Sequence, residues 1–73
     1  MPPVPLLRPT DVIKAFERLG WEVVRQKGSH IILTKRGNIS TLSVPNHPEV
    51  ARGTLRELIR KSGESLDEFL EQL

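Results

Sequence analysis

WEVVRQKGSHIILTKRGNISTLSVP, from Trp21 to Pro45, is the stretch that decides the fold. Trp21 to Gln26 has the β-branched and aromatic character of a strand, and Lys27-Gly28 breaks it. Ser29 to Lys35 resumes as a second strand. Arg36-Gly37-Asn38 is a turn signal, and Ile39 to Val44 makes a third strand that Pro45 stops. Strands joined by such short turns pair with their neighbours, so the stretch predicts a three-stranded antiparallel meander.

Upstream of the sheet, Val12, Ile13, Phe16 and Leu19 recur at helical spacing, with Thr10 as the predicted N-cap and Gly20 just past the end. Downstream, a loop from Pro45 to Ala51 carries two prolines. Thr54-Leu55-Arg56-Glu57 reads as a capping box opening a second helix, whose Leu55, Leu58 and Ile59 face the sheet until Gly63. Ser65-Leu66-Asp67-Glu68 repeats the box before a short apolar stripe of Leu66, Phe69, Leu70 and Leu73. The order is αβββα(α), an α+β fold with helices on one face of the sheet. A double-stranded-RNA-binding domain has the same element order; this fold-level analogy favours RNA without locating a site.

At 73 residues the chain has room for one domain. Residues 1–9 are expected to be an extended, partly mobile, proline-rich lead-in, and residues 10–73 the single domain. With no cysteine there is neither a disulfide nor a thiolate zinc site, so the small core must rely on packing and capping. No apolar run is long enough to span a bilayer, and the first residues lack the pattern of a signal peptide, so the expected location is the cytoplasm. Net charge is only +2, but it is unevenly placed. Residues 1–63 hold 11 lysines and arginines against five acids, a balance of +6, whereas residues 64–73 hold four acids and no base. A basic body of this kind suits a polyanionic partner, although solvated surface charge is the alternative.

His30 and His47 are the only histidines, the residue type whose ordinary pKa lies nearest neutrality. Alternation along the second strand turns Ile31 and Leu33 toward the helices and His30, Ile32 and Thr34 away, leaving His30 open to a ligand. Gly28 allows a tight turn or close approach of a substrate backbone, Ser29 offers a hydroxyl, and Lys27 and Arg25 supply positive charge. Those groups match the needs of RNA transesterification: a base or acid for the proton, and cations for the developing phosphorane charge. An exposed strand histidine with a purely structural hydrogen bond is the alternative for His30. His47, in Val44-Pro45-Asn46-His47, either approaches the same face or anchors its loop. Arg52, Arg56 and Arg60 recur every four residues, giving Arg56 and Arg60 either an RNA-backbone role or that of a solvated stripe paired with Glu49 and Glu57. The two histidines are 17 residues apart with no acid within three residues of His30, so no metal site and no cofactor is expected.

The combination resembles the HicA family of toxins over about residues 10–70. The segments that carry the likeness are Leu19-Gly20-Trp21, Arg25-Gln26-Lys27-Gly28-Ser29-His30, Val44-Pro45-Asn46-His47, and Gly53-Thr54-Leu55-Arg56-Glu57-Leu58-Ile59-Arg60, in that order. The resemblance implies a double-stranded-RNA-binding-like fold and a metal-independent endoribonuclease that cleaves mRNA, with the family's strand histidine falling on His30. It also implies a HicB-like antitoxin that covers the active face. A non-catalytic RNA-binding module on the same fold is the alternative, and it would bind RNA without making product. The proline-rich lead-in lies outside the shared pattern.

Overall fold

A computed structural model of the chain describes residues 4–73. Strands β1 (Trp21–Lys27), β2 (His30–Lys35) and β3 (Asn38–Pro45) form one antiparallel sheet in the order β1-β2-β3. Lys27 pairs directly with His30, so the reversal between them is made by Gly28 and Ser29 alone. Gly28 sits at φ 59° while Ser29 has negative φ, the pattern of a type II′ turn, whose first central position favours glycine. Ser29 is therefore a turn residue, not the first residue of the second strand. A two-residue hairpin needs both central positions, and that leaves His30 to open β2.

Helix α1 (Pro9–Arg18) begins with proline at its first turn, after Arg8 as N-cap. The fixed φ and missing N–H of proline suit that position, so the expected cap Thr10 lies inside the helix instead. Helix α2 (Arg52–Ser62) starts from Ala51 with no side-chain cap, and Gly63 ends it at φ 81°. Thr54 is thus within the first turn, and Glu57 turns to Arg60 instead of closing the predicted box. Helix α3 (Leu66–Leu70) does have its box. The Glu68 N–H donates to Ser65 Oγ at 3.1 Å, and the Ser65 N–H donates to Glu68 Oε1 at 3.0 Å. The Ser65 backbone bond, followed by the bond with its side chain, holds the Glu68 carboxyl below its usual range. Because the folded value is depressed, this contribution is present above the unfolded pKa and is lost as pH falls through the folded one.

The expected lead-in also needs revision where it can be seen. Residues 1–3 lie outside the described residues, but Val4 is buried in the core. The Val50 N–H donates to the Leu7 carbonyl at 2.7 Å, and Arg52 Nε donates to the Val4 carbonyl at 2.9 Å. The domain expected from residue 10 therefore takes in Val4 to Arg8, because Val4 has apolar surface to bury and the backbone around Leu7 finds a partner in Val50.

All three helices pack on one side of the sheet, giving an α+β fold consistent with the double-stranded-RNA-binding arrangement. Phe16 of α1 sits at the centre, its ring 6.3 Å edge-on from Trp21 and 4.9 Å from Phe69. Leu33, Leu42 and Val44 of the sheet, Leu55, Leu58 and Ile59 of α2, Val12 and Ala15 of α1, and Val4 and Val50 complete the core around them. At the far end Lys35 Nζ meets Glu64 Oε1 at 2.9 Å, so the first acid of the tail is tied to β2 and not left on a solvated face. No helix among the described residues is long and apolar enough to cross a membrane.

Ser65→Ala should cost about 1 kcal/mol of stability, the ordinary loss of an N-cap, whereas Thr54→Ala should cost less than about 0.5 kcal/mol because Thr54 caps nothing. Urea unfolding of the two variants checks this; equal losses would restore the capping role of Thr54.

Candidate functional site

The helices cover only one side of the sheet, and the other side is open. In antiparallel pairing, residues directly opposite each other project to the same side, with Cβ atoms about 4.5–5.5 Å apart. The registers therefore define the open side as three rows across the strands. Lys27, His30 and Pro45 make the first, Arg25, Ile32 and Ser43 the second, and Glu22, Thr34 and Thr41 the third. Rows are about 6.8 Å apart along the strands. The helix side holds Leu33, Leu42 and Val44, all fully buried, between Trp21 and the half-buried Ile31.

Strict alternation along β1 would not give this arrangement. Trp21 and Lys27 are six positions apart, so in a regular strand both would face the helices. A register shift between Val23 and Arg25 inserts Val24 as an extra, half-exposed residue. Beyond that bulge the parity reverses, and Arg25 and Lys27 turn to the open side beside His30. Both cations and His30 are exposed to solvent. The sequence placed these cations near His30 but gave no reason for their facing it; the bulge is that reason.

The turn itself is anchored from two directions. Gln26 Nε2 donates to the Gly28 carbonyl at 3.2 Å, and the Asn46 N–H donates to the Ser29 carbonyl at 2.6 Å. The second bond fixes the start of the loop that carries His47, so the exposed His47 leaves the sheet at its His30 end. A Cβ built on Gly28 would meet nothing within 4 Å, which leaves that side of the turn open to a ligand backbone. Chemically, the end of the sheet gathers a histidine, a directly opposed ammonium, a neighbouring guanidinium and a turn hydroxyl. This set can move a proton and balance negative charge on a phosphodiester.

Arg56 and Arg60 are not part of it. With Leu55, Leu58 and Ile59 buried, both project from the helical layer behind the sheet, where they line a groove of about 170 Å³ with Val4, Ile59 and Leu66. Arg60 is engaged with Glu57, its Nε 3.1 Å from each carboxylate oxygen, and those hydrogen bonds hold Glu57 below its usual range. The stripe read from the sequence is therefore divided: Arg52 pins Val4, Arg60 pairs with Glu57, and the Arg56 side chain lines the groove with no hydrogen bond or ion pair to any other described residue. Sequence reading passed over Ser43 and Thr41, hydroxyls that β3 presents on the open side. Counting alternation back from the buried Leu42 and Val44 would have found them. Among the described residues no group of three or more His, Asp or Glu side chains is placed to hold a metal ion.

A family model described as the HicA toxin of bacterial toxin-antitoxin matches residues 9–64, most of the chain and all three strands. No curated protein matches it.

Deleting Val24 would restore strict alternation, forcing either the cations into the helical layer or Trp21 out of it. The expected outcome is a red shift of Trp21 fluorescence together with loss of cooperative unfolding. Val24→Thr, which keeps the residue count, should leave the emission unchanged. A deletion variant with native emission and a sharp transition would show that the bulge is dispensable.

Proposed function

The chain belongs to the HicA toxin family, and from that premise we propose that it is a metal-independent endoribonuclease whose working centre is His30. Membership makes it the toxin of a toxin–antitoxin system with an antitoxin as partner. The proposal adds mRNA as the substrate, a HicB-like protein as the antitoxin, and the cytoplasm as the place where the three meet. One observation carries it: Lys27 and His30 are direct cross-strand partners on the uncovered side of the sheet.

In the proposed reaction the 2′-hydroxyl oxygen of the RNA attacks the adjacent phosphorus, forming the new P–O2′ bond. The P–O5′ bond breaks, and the products are a 2′,3′-cyclic phosphate and a 5′-hydroxyl. His30 serves as general base or general acid, taking the proton from the 2′-oxygen or giving one to the departing 5′-oxygen. His47, on the loop fixed to the same turn, is the candidate for the other proton. Lys27 and the Ser29 hydroxyl hold the scissile phosphate, and the open space over Gly28 lets the phosphate approach the turn. Arg25, one row away, holds the adjoining part of the strand. Negative charge grows on the phosphoryl oxygens as the bond forms, so cations fixed in advance stabilise the transition state more than the substrate.

Cleavage of RNA should persist in excess chelator and fall by at least about 100-fold in His30→Ala, with the ends produced by the wild type carrying 2′,3′-cyclic phosphate. Lys27→Gln should weaken cleavage and reduce its dependence on salt. Undiminished cleavage by His30→Ala, or its loss on chelation alone, would overturn the proposal. Binding of RNA without any product from the wild type would favour the non-catalytic module.

A further inference from the structure

Beside the reaction row lies a second row, Arg25, Ile32 and Ser43, that proton transfer does not use. Its composition is unusual for its place. Ile32 is a half-buried apolar side chain at the centre of the surface, and apart from it and Pro45 at the rim the rows hold charged, hydroxyl-bearing and imidazole side chains. It is flanked by an exposed guanidinium on one side and an exposed hydroxyl on the other. All the aromatic residues of the chain, Phe16, Trp21 and Phe69, are spent in the core, where none is more than 2% exposed. The open side therefore has no Phe, Tyr or Trp for a base to stack on, and the imidazole of His30 in the neighbouring row is taken up by the reaction. The planar or apolar surfaces it offers in this row are the Arg25 guanidinium and the Ile32 side chain, and both can lie against a base.

We infer that this row is a nucleobase subsite: Arg25 and Ile32 hold the face of one unpaired base of single-stranded RNA next to the scissile phosphate, and Ser43 contacts its sugar or phosphate. The inference takes its starting point from the cleavage reading above. Charge complementarity chooses the occupant, since Arg25 and Lys27 lie on the same side as Ile32 while Glu22 marks the limit of the favourable surface one row further on. Geometry chooses the single strand. The rows are about 6.8 Å apart, wider than the roughly 3.4 Å rise between stacked nucleotides of one strand in a duplex, so a strand that spans two rows has its bases unstacked. Bases within an A-form duplex stack on each other and present no face to a protein surface. In-line attack by a 2′-oxygen also needs the linkage splayed away from its helical geometry, and holding one flanking base by its face would keep it splayed. Beyond Ser43 the surface continues into a cleft of about 510 Å³ lined by Gly53, Thr54, Glu57, Leu58 and Lys61 of α2, where Lys61 is the cation and Glu57 is bonded to Arg60, and this cleft gives the strand a path off the sheet over β3.

The test uses single-stranded 2′-O-methyl RNA oligonucleotides, each with one ribonucleotide that fixes the position of cleavage. One version is fully based, one is abasic on the 5′ side of that position and one on the 3′ side. Dissociation constants come from fluorescence anisotropy with the His30→Ala protein, and cleavage of the same strands is followed with His30 intact. One of the abasic versions should bind about tenfold more weakly than the based strand, in line with the loss of one base contact. Ile32→Thr and Arg25→Gln, added to the binding protein, should bind the based strand as weakly as the parent binds that abasic one, and should show no further penalty on it. Ile32→Thr keeps a β-branched side chain on an open face, and Arg25→Gln alters an exposed one, so a native circular dichroism spectrum is expected for both. An abasic penalty as large in the variants as in the parent, or absent on both sides in the parent, overturns the subsite. So does tight binding of a fully paired duplex, or variants that bind every strand normally and lose only their grip on the antitoxin. Base-dependent binding without cleavage by the wild type would leave the subsite standing and remove the ribonuclease reading. Cleavage without base dependence would do the reverse.

Discussion

One extra residue in β1 reconciles two demands that a regular strand cannot meet together. Trp21 must face the helices, because its large apolar surface completes the aromatic cluster with Phe16. Lys27 must face the other way, because the two-residue turn at Gly28-Ser29 places it directly opposite His30. Since side chains alternate with a period of two, these positions have the wrong parity unless one residue is left out of the pairing. Val24 is that residue. The core, the turn and the cationic face all depend on the insertion, and the same local kink twists an edge strand away from flat pairing with another chain.

Among the described residues the helices cover one face of the three-stranded sheet and leave the second open. The helical side takes Phe16, Trp21 and Phe69 and nearly all of the large aliphatic residues that are buried. Even the N-terminal segment is drawn in, with Val4 in the core and its carbonyl held by Arg52. What remains for the open side is three hydroxyl-bearing side chains, two cations, one glutamate, a histidine, a proline and one isoleucine. That residue set suits a partner read through phosphate, sugar and base faces better than a small apolar ligand, which would need an enclosed pocket.

Charge is sorted in the same way. Much of the acidic tail is engaged in structure: Glu64 pairs with Lys35 and Glu68 closes the box with Ser65. Of the arginines on α2, Arg52 and Arg60 are likewise committed to local partners. Arg25 and Lys27, by contrast, lie exposed along the side that carries His30, while Lys14, Arg56 and Lys61 are exposed on the helices and Arg36 in the turn between β2 and β3.

The order of elements, the hairpins, the helix-facing residues Leu55, Leu58 and Ile59, and the exposure of His30 were legible in the sequence. They follow from local rules: alternation, helical spacing, turn-forming glycines and the cap at Ser65. Helix starts were less legible, because Thr54 has the composition of a cap but the helix already begins at Arg52, with the Leu55 N–H donating to the Ala51 carbonyl. The burial of Val4 was hidden by its prolines, which signal an extended chain without saying what that chain lies against. The alignment of Arg25 and Lys27 with His30, and the row formed by Arg25, Ile32 and Ser43, were decided by tertiary structure alone. A bulge is a compromise between the burial of Trp21 at one end of a strand and the geometry of a turn at the other, and neither end by itself contains it.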